Sequence, residues 1–267
     1  MKIVTLVKAV PEVMNVRLAL KGNDIDRSEL NYAINEQDDY ALEEALQLKE
    51  KNGGEVVVLS MGDEAGRKGI TQVIRQCYAK GADRGIMLLD TSYSEWDDAV
   101  KARIASKIIS TEKPDLVVGG SQSFDMASSR FGPMVAELIG MPHATLITAL
   151  HTVDGGKIRV HRDLEQGIQE IVELPLPCLV TTQTGINTPR YASLNRIIAA
   201  TRKEISAPKL QDMQITPQQM SEWNRVKISS VAFPSEKGSG ATFLEGKPEE
   251  EAAQLVKLLR EKGLIQR

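Results

Sequence analysis

Short apolar runs alternate with longer amphipathic segments over the first half of the chain. Each run is rich in Val, Ile and Leu without polar alternation, which is typical of strands buried on both faces of a parallel sheet. The longer segments have the length and punctuation of covering helices. The predicted strands are residues 2–7, 55–60, 85–89 and 115–118, and the predicted helices are residues 39–51, 65–80, 95–111 and 129–139. The pattern therefore predicts an α/β fold whose doubly wound, mostly parallel sheet is Rossmann-like, with right-handed crossovers.

The pattern changes near residue 143, where alternating residues replace the continuous apolar runs. Residues 145–153 and 158–162 flank the sequence Asp154-Gly155-Gly156-Lys157, which predicts a β-hairpin with positive φ angles at the two glycines. Two more strands are predicted over residues 169–174 and 178–182.

The chain beyond Arg202 is polar and irregular, and it ends in a predicted helix over residues 248–262. We therefore expect residues 1–205 to form the α/β domain with its added hairpin region. Residues 206–267 are too long for a compact loop and too apolar at their end for plain disorder, which favours an arm that packs on another chain. The alternative is that the last helix folds back on the chain's own sheet.

Composition and charge argue against several classes of protein. With 42% hydrophobic and 26% charged residues, the 267-residue chain can bury a full core, and its net charge of -3 gives no global reason to expect a nucleic-acid partner. No apolar run approaches the roughly 18 residues of a spanning helix, and signal-peptide features are missing, so we expect a cytoplasmic protein without membrane insertion. Cys77 and Cys178 have no C-x-x-C spacing and are expected to be buried apolar residues.

Ligands of an open parallel sheet bind beyond the carboxyl ends of its strands, so the loops there are the candidate site. The loop after the first strand, residues 8–11, lacks G-x-G-x-x-G, and no P-loop sequence occurs anywhere in the chain. These absences argue against a standard Rossmann dehydrogenase or a P-loop hydrolase. After the second strand, Ser60-Met61-Gly62 would let a ring or a ribose approach the backbone.

The most informative segment is residues 119–133, which we call the glycine-serine loop (GGSQSFDMASSRFGP). Its two glycines permit close backbone approach, and its Ser and Gln side chains can hydrogen-bond a heterocycle or a ribose. Ser128 and Ser129 stand where a helix should begin, and the free N–H groups of that helix end would favour phosphate oxygens. Arg130 would add a charge-assisted contact to the same phosphates. The alternative is an ordinary Ser-rich turn, but the convergence of three strand-end loops on one crevice favours a ligand site.

No catalytic constellation is evident in the sequence. His143, His151 and His161 lie on or near the predicted hairpin strands without a helical H-x-x-x-H pair, so we expect no metal site. The chain has no G-x-S-x-G nucleophile elbow, and its acidic pairs head predicted helices, where the helix dipole alone favours carboxylates. We therefore predict a binder or carrier without catalytic side chains of its own.

Four segments of the chain match one protein family. They are Leu6-Val7-Lys8 with Pro11, residues 35–43 (NEQDDYALE), the glycine-serine loop, and residues 160–180, which contain RDLEQG and PCLV. With these segments the chain resembles, nearly end to end, the β subunit of electron-transfer flavoproteins. The resemblance implies an obligate heterodimer with an α subunit that carries a flavin, and a nucleotide bound to the β subunit. The nucleotide-contacting positions of the family correspond to Leu6, Asn35, Asp38, Met61, Gly120, Ser121, Gln122, Asp125, Ser128, Ser129, Arg130 and Phe131.

The resemblance favours FAD over AMP as that nucleotide. Asp38 and the VHRDLEQ sequence of residues 160–166 are similar to the electron-bifurcating group of the family, which holds FAD in this subunit and uses NADH as electron donor. The positive charge of Arg162 would then tune the flavin. One alternative is a non-bifurcating subunit with structural AMP, and another is a stand-alone adenine-nucleotide sensor without a redox role. The chain departs from the group at Glu36-Gln37, where the group usually has Pro-Tyr, and at Arg130, where it usually has Gln.

A further matching stretch comprises Asn187 and residues 189–194 (PRYASL). It resembles the loop by which these proteins dock on a partner flavin-dependent dehydrogenase. Leu194, beside Tyr191, would be the anchor, since an apolar side chain in a partner's pocket can supply most of a small interface's affinity. The alternative is a loop-to-helix junction with Leu194 in the core.

Overall fold

The computed structural model describes residues 1–13, 18–21, 24–26, 30–153, 155–233, 241 and 243–265. The chain divides into two compact units, Met1–Val231 and Ala232–Arg267. The strands are β1 (Lys2–Leu6), β2 (Ala9–Pro11), β3 (Leu20–Lys21), β4 (Asp24–Ile25), β5 (Tyr32–Ile34), β6 (Glu55–Asp63), β7 (Arg84–Asp90), β8 (Leu116–Gly120), β9 (His143–Val153), β10 (Lys157–Asp163), β11 (Gln169–Pro175) and β12 (Cys178–Thr182). The helices are α1 (Glu36–Asn52), α2 (Arg67–Lys80), α3 (Asp98–Glu112), α4 (Phe131–Ile139), α5 (Leu194–Ala200), α6 (Pro217–Trp223) and α7 (Pro248–Glu261).

Among the described residues, eight strands form one sheet in the order β11-β10-β9-β12-β8-β1-β6-β7. The strands from β9 to β7 in this order run parallel, whereas β10 is antiparallel to both of its neighbours. Successive strand residues point to opposite faces, so Ile3 packs in the cluster that contains α1 and α2, and Val4 packs in the cluster that contains α3 and α4. The predicted α/β class with a mostly parallel sheet is thus confirmed, and the antiparallel β10 makes the sheet a mixed one.

The sequence pattern predicts the C-terminal ends of the helices more accurately than their N-terminal starts. Gly53 and Gly81 cap the C-termini of α1 and α2, as predicted. α1 begins at Glu36 rather than at residue 39, and α2 and α3 begin late because short 3-10 turns precede them. The predicted start of α4 at Ser129 is wrong, since its φ of 54° is incompatible with a right-handed helix, and α4 begins at Phe131.

β9 and β10 form the predicted hairpin. Gly155 and Gly156 of its turn have the expected positive φ angles, 81° and 70°, whereas Asp154 lies outside the described residues. β12 lies between β8 and β9 and runs parallel to both. The hairpin region therefore extends the parallel sheet instead of forming a separate layer.

Several small elements are not predicted by the sequence pattern. β2 pairs with β5, and β3 pairs with β4, and these strands have only two or three residues each. Such short strands show no measurable periodicity. α5 and α6 have seven residues each and are missed for the same reason. Cys77 and Cys178 are free and buried, which confirms the prediction for both.

The second unit contains α7, the predicted last helix. Pro248 stands in its first turn, and Gly263, with a φ of 67°, follows its end. The apolar side chains of Leu255 and Val256 on this helix are exposed. In the part of the chain that the structure describes, no helix combines the length and apolarity needed to cross a bilayer.

Candidate functional site

A cleft opens at the carboxyl ends of β1, β6 and β8, which is where the sequence predicts a ligand site. The cleft is partly open to solvent, and its lining combines apolar and polar side chains. α3 and α4 complete its walls. The residues predicted from the sequence that line this cleft are Leu6, Asp38, Met61, Gly120, Ser121, Gln122, Ser128, Ser129 and Phe131.

Asp38, in the first turn of α1, joins the ends of two strands. Its carboxylate oxygens accept the backbone N–H of Lys8 at 2.7 Å and that of Gly120 at 3.0 Å. Only 7% of the residue is exposed, and this burial raises the pKa of Asp38 from 3.8 to about 7, although the N–H donors and Asn35 act in the opposite direction. Both oxygens of Asp38 are therefore used to fix the backbone of the cleft.

Asn35, a buried residue next to α1, anchors the glycine-serine loop through side-chain hydrogen bonds. The residue is 1% exposed, its Nδ2 donates to the backbone oxygen of Gln122 at 2.9 Å, and its Oδ1 accepts the Phe124 N–H at 2.9 Å. Gln37 adds a third bond by accepting the Gln122 N–H at 2.9 Å. Asn35 is not among the residues that line the cleft, so within this chain it acts by holding the loop.

Lys8, at the end of β1, binds the same loop. Its Nζ donates to Asp125 Oδ1 at 2.6 Å and to Ser123 Oγ at 3.2 Å. Burial acts to raise the pKa of Asp125, but the charge and hydrogen bond of Lys8 outweigh it and hold that pKa below its usual value. Asp125 is therefore the counter-ion of Lys8, and it is not among the residues that line the cleft.

Glycines and serines of the loop also satisfy contacts inside the protein. A Cβ at Gly120 would lie 2.8 Å from the backbone nitrogen of Asp38, so the close approach that the glycine permits is to α1. Ser121 Oγ donates to the backbone oxygen of Thr182 at 2.8 Å and joins the loop to β12. Gly62, like Gly120, lies against another part of the protein, since a Cβ at Gly62 would overlap the side chain of Ile70.

The segment before α4 forms one wall of the cleft. Ala127 and Ser129 have φ angles of 47° and 54°, a conformation that residues with a side chain rarely adopt. Ser129 Oγ donates to Gln122 Oε1 at 3.0 Å, which holds the two ends of the loop together. No side chain caps the N-terminus of α4, so its first N–H groups are left for a ligand or for water.

Tyr93 and Lys101 line the cleft, although the sequence analysis does not single them out. Lys101 Nζ lies 4.8 Å from the centre of the Tyr93 ring. Burial lowers the pKa of Lys101, and the charge of Lys8 acts in the same direction. Tyr93 lies in the short turn that follows β7, whereas Lys101 lies on α3, within the helix that the sequence predicts over residues 95–111.

Arg130 and Arg162 are not among the residues that line the cleft. Arg130 Nε donates to Asp98 Oδ2 at 2.7 Å. Arg162, on β10, donates to the backbone oxygen of Thr145 at 2.8 Å and to Glu170 Oε2 at 2.7 Å, and β9 and β12 separate its strand from β8. The phosphate contact of Arg130 and the flavin contact of Arg162 stay predictions.

Tyr191 and Leu194 project from the surface, with exposed fractions of 99% and 71%. Leu194 begins α5, so the segment is a loop-to-helix junction, but its exposure contradicts the alternative that places Leu194 in the core. The preceding segment is fixed on α1, because Arg190 Nε donates to Glu43 Oε2 at 2.8 Å and Asn187 donates to a backbone oxygen of α1 at 3.0 Å. An exposed apolar pair on a rigid base is thus available to a partner.

The chemistry of the cleft fits an adenine nucleotide. Leu6, Met61 and Phe131 supply apolar surface for a ring, while Lys101 and the uncapped N-terminus of α4 supply positive charge for phosphate. In the described ranges of the chain, no cluster of His, Cys, Asp and Glu is arranged to hold a metal ion.

Comparisons with known proteins agree with this chemistry. The family described as Electron transfer flavoprotein domain matches residues 23–213. The chain is 36% identical to the electron transfer flavoprotein subunit beta of Methylophilus methylotrophus over 98% of both chains. It is 31% identical to the subunit beta of Bacillus subtilis over 93% of this chain and 94% of that one. It is also 31% identical, over 99% of this chain and 100% of the relative, to the Caffeyl-CoA reductase-Etf complex subunit CarD of Acetobacterium woodii. The chain therefore belongs to the electron transfer flavoprotein family, among its β subunits.

Proposed function

We propose that this protein is an electron carrier that binds an adenine nucleotide in the cleft and works as a heterodimer with an α subunit that carries a flavin. The observation that carries the proposal is the meeting of three strand ends around an apolar wall, a cationic side chain and an uncapped helix N-terminus. The polar residues around this wall mostly bind each other, which suits a rigid holder better than a catalyst.

FAD is the nucleotide that we favour. The support is Asp38 together with residues 160–166, which are similar to the FAD-holding, electron-bifurcating group of the family. FAD, when bound, supplies the electron-transfer chemistry. Leu6 and Met61 would pack against the adenine ring, and the first turn of α4 would face the phosphates.

Structural AMP is the second candidate, and the position of Arg162 favours it. Arg162 is already paired with Glu170, and β9 and β12 separate its strand from the strands that end at the cleft. AMP would need sites only for adenine, ribose and one phosphate, and the apolar wall and the positive charge of the cleft suit the first and the last of these. A flavin would have to extend well beyond the cleft before Arg162 reached its ring.

We further propose NADH as the electron donor and a flavin-dependent dehydrogenase as the partner. The name of CarD, a subunit of a caffeyl-CoA reductase-Etf complex, supports an assembly of this kind. Tyr191 and Leu194 would form the docking surface, because they are exposed on a segment that Arg190 fixes. Residues 206–267 would act as the arm that holds the α subunit, which agrees with the exposed Leu255 and Val256 of α7.

The nucleotide content of the purified complex tests these candidates. The chain is co-produced with its α subunit, the heterodimer is denatured, and the released FAD and AMP are quantified by chromatography. Two FAD per heterodimer is the expected result. One FAD and one AMP would overturn the FAD assignment in favour of the AMP-holding subunit. Adenine nucleotide without any flavin would indicate the sensor and overturn the electron-carrier proposal.

The role of Arg162 has its own test. Arg162→Ala is expected to lose the second FAD or to shift its reduction potential, because the variant removes a positive charge from near the ring. Arg159→Ala is the matched control, since Arg159 lies on the same strand and forms an equivalent exposed ion pair with Glu173. Unchanged stoichiometry and unchanged spectra in the Arg162 variant would refute the tuning role.

A further inference from the structure

Among the described residues that line the cleft, every charged side chain except one is bound by a counter-ion or, as in Asp38, by backbone N–H groups. Lys8 is neutralised by Asp125, and Asp98, which lines the cleft, is neutralised by Arg130. Lys101 also lines the cleft, yet among the described residues its ammonium group has neither a hydrogen bond nor an ion pair. Its neighbour is the face of the Tyr93 ring, at 4.8 Å.

The position of Lys101 makes this unpaired charge costly. Lys101 lies in the first turns of α3, and side chains of a helix lean toward its N-terminus, which directs this one to the cleft. The pKa of Lys101 is lowered first by burial and then by the charge of Lys8, while Asp98 and Asp125 act in the opposite direction. A half-buried cation without a counter-ion is unfavourable unless an anion arrives to pair with it.

We propose that Lys101 recognises the phosphate of the bound adenine nucleotide, an inference that rests on the proposed function and adds a residue to its site. The nucleotide would bring the missing negative charge to the ammonium group. The uncapped N-terminus of α4, which includes Gly132 in the cleft lining, would face the same phosphate. The adenosine part of the ligand would contact the apolar side chains of Leu6 and Met61. Its contribution to the binding affinity would therefore not depend on Lys101.

The affinities for two phosphate-containing ligands and one ligand without phosphate test the proposal. The heterodimer is stripped of nucleotide, and calorimetry measures the affinity of AMP, FAD and the uncharged probe adenosine for the wild type and its variants. Lys101→Gln should weaken AMP and FAD about 10- to 100-fold, the value of a hydrogen bond to a charged group, and should leave adenosine unchanged. Lys101→Arg should restore most of the affinity for AMP. Lys107→Gln is the control, since Lys107 is exposed on the same helix, does not line the cleft, and donates to the backbone oxygen of Met213.

Each other outcome overturns the inference in a distinguishable way. If Lys101→Gln weakens the binding of adenosine as much as that of AMP, Lys101 stabilises the cleft through Tyr93 and does not contact the phosphate. If AMP binds the variant as well as the wild type, Lys101 is not a ligand contact, although the proposed function still stands. If the wild type binds neither AMP nor FAD, the proposed function fails together with this inference. Lys101→Met, which keeps the stem of the side chain, repeats the comparison should the Gln variant be too unstable to assay.

Discussion

Replacement of Asp38 by Asn tests the buried carboxylate that joins β1, α1 and β8. The two oxygens of Asp38 accept the N–H groups of Lys8 and Gly120. Asn offers one oxygen and one NH₂ group, so one of these N–H donors would face another donor. A buried donor left without its acceptor costs about 1–3 kcal/mol, and this cost does not depend on pH.

The ionisation of Asp38 adds a cost that does depend on pH. Its pKa is 3.8 ordinarily and about 7 in the folded protein, so between these values the folded state holds a proton that the unfolded state has lost. The free energy of unfolding therefore falls as pH rises through this window, by about 1.4 kcal/mol per pH unit. From pH 5 to pH 8 the wild type should lose about 3 kcal/mol through this group, since the fall ends near pH 7. Asp38→Asn cannot show this loss.

Urea unfolding of the nucleotide-free wild type and Asp38→Asn at pH 5, 6, 7 and 8 measures the difference. We expect the variant to be clearly less stable at pH 5 and to approach or exceed the stability of the wild type at pH 8. Because both proteins share every other titrating group, the change in their difference isolates Asp38. Stability curves that stay parallel from pH 5 to pH 8 would refute the raised pKa and the reasoning from burial.

Three further substitutions probe the loop, its anchor and the docking surface. Gly120→Ala should lower the stability by about 1–3 kcal/mol in urea unfolding, because its Cβ would overlap the backbone of α1. Arg190→Met should cost about 3 kcal/mol at pH 7, since it leaves the buried Glu43 carboxylate without its cation. The cost should shrink as pH falls below 4.5, the ordinary pKa of Glu, because the hydrogen bonds and charge of Arg190 outweigh burial and hold the pKa of Glu43 below that value in the folded protein. Leu194→Asp should leave stability within about 0.5 kcal/mol of the wild type but slow electron exchange with the proposed partner, a flavin-dependent dehydrogenase of the same organism, measured by stopped flow.

Matched controls separate these effects from general damage. Gly66→Ala introduces a Cβ whose nearest neighbour is 3.8 Å away, so it should be tolerated. Arg159→Met breaks an exposed ion pair and should leave the unfolding midpoint unchanged. Ile228→Asp changes another exposed apolar residue and should not slow electron exchange. Loss of stability in these controls equal to that in the test variants would contradict the assigned contacts.

The sheet and the place of the cleft follow from the sequence because both depend on local signals. Continuous apolar runs such as residues 55–60 identify buried strands, and parallel strands bring their carboxyl ends to one edge. Gly53 and Gly81 end helices through their own backbone preferences, which neighbours in space rarely override. The start of α4 is different, since it depends on the left-handed conformation of Ser129, which tertiary contacts impose.

The functions of individual side chains in the cleft are harder to predict. The resemblance predicts that Asn35 and Asp38 contact the nucleotide, and in this chain both accept backbone N–H groups of distant segments. Only the folded structure brings these N–H groups close to Asn35 and Asp38. The spacing of residues along the sequence therefore does not predict these hydrogen bonds. Lys101 is not identified from the sequence either, because it lies on a predicted helix, and only the packing of α3 brings its side chain to the cleft.

The hydrogen bonds of the glycine-serine loop bear on which part of the protein could distinguish FAD from AMP. Asn35, Gln37 and Lys8 bind this loop on one side and Ser121 joins it to β12, so hydrogen bonds within the protein fix its shape. In the proposed function, a loop held in this way would bind the adenosine phosphate portion that both nucleotides share with little cost of ordering. Selection of FAD therefore has to come from surfaces outside the loop, either toward the strand of Arg162 or on the α subunit. Substitutions within the loop should change the affinities for both nucleotides together.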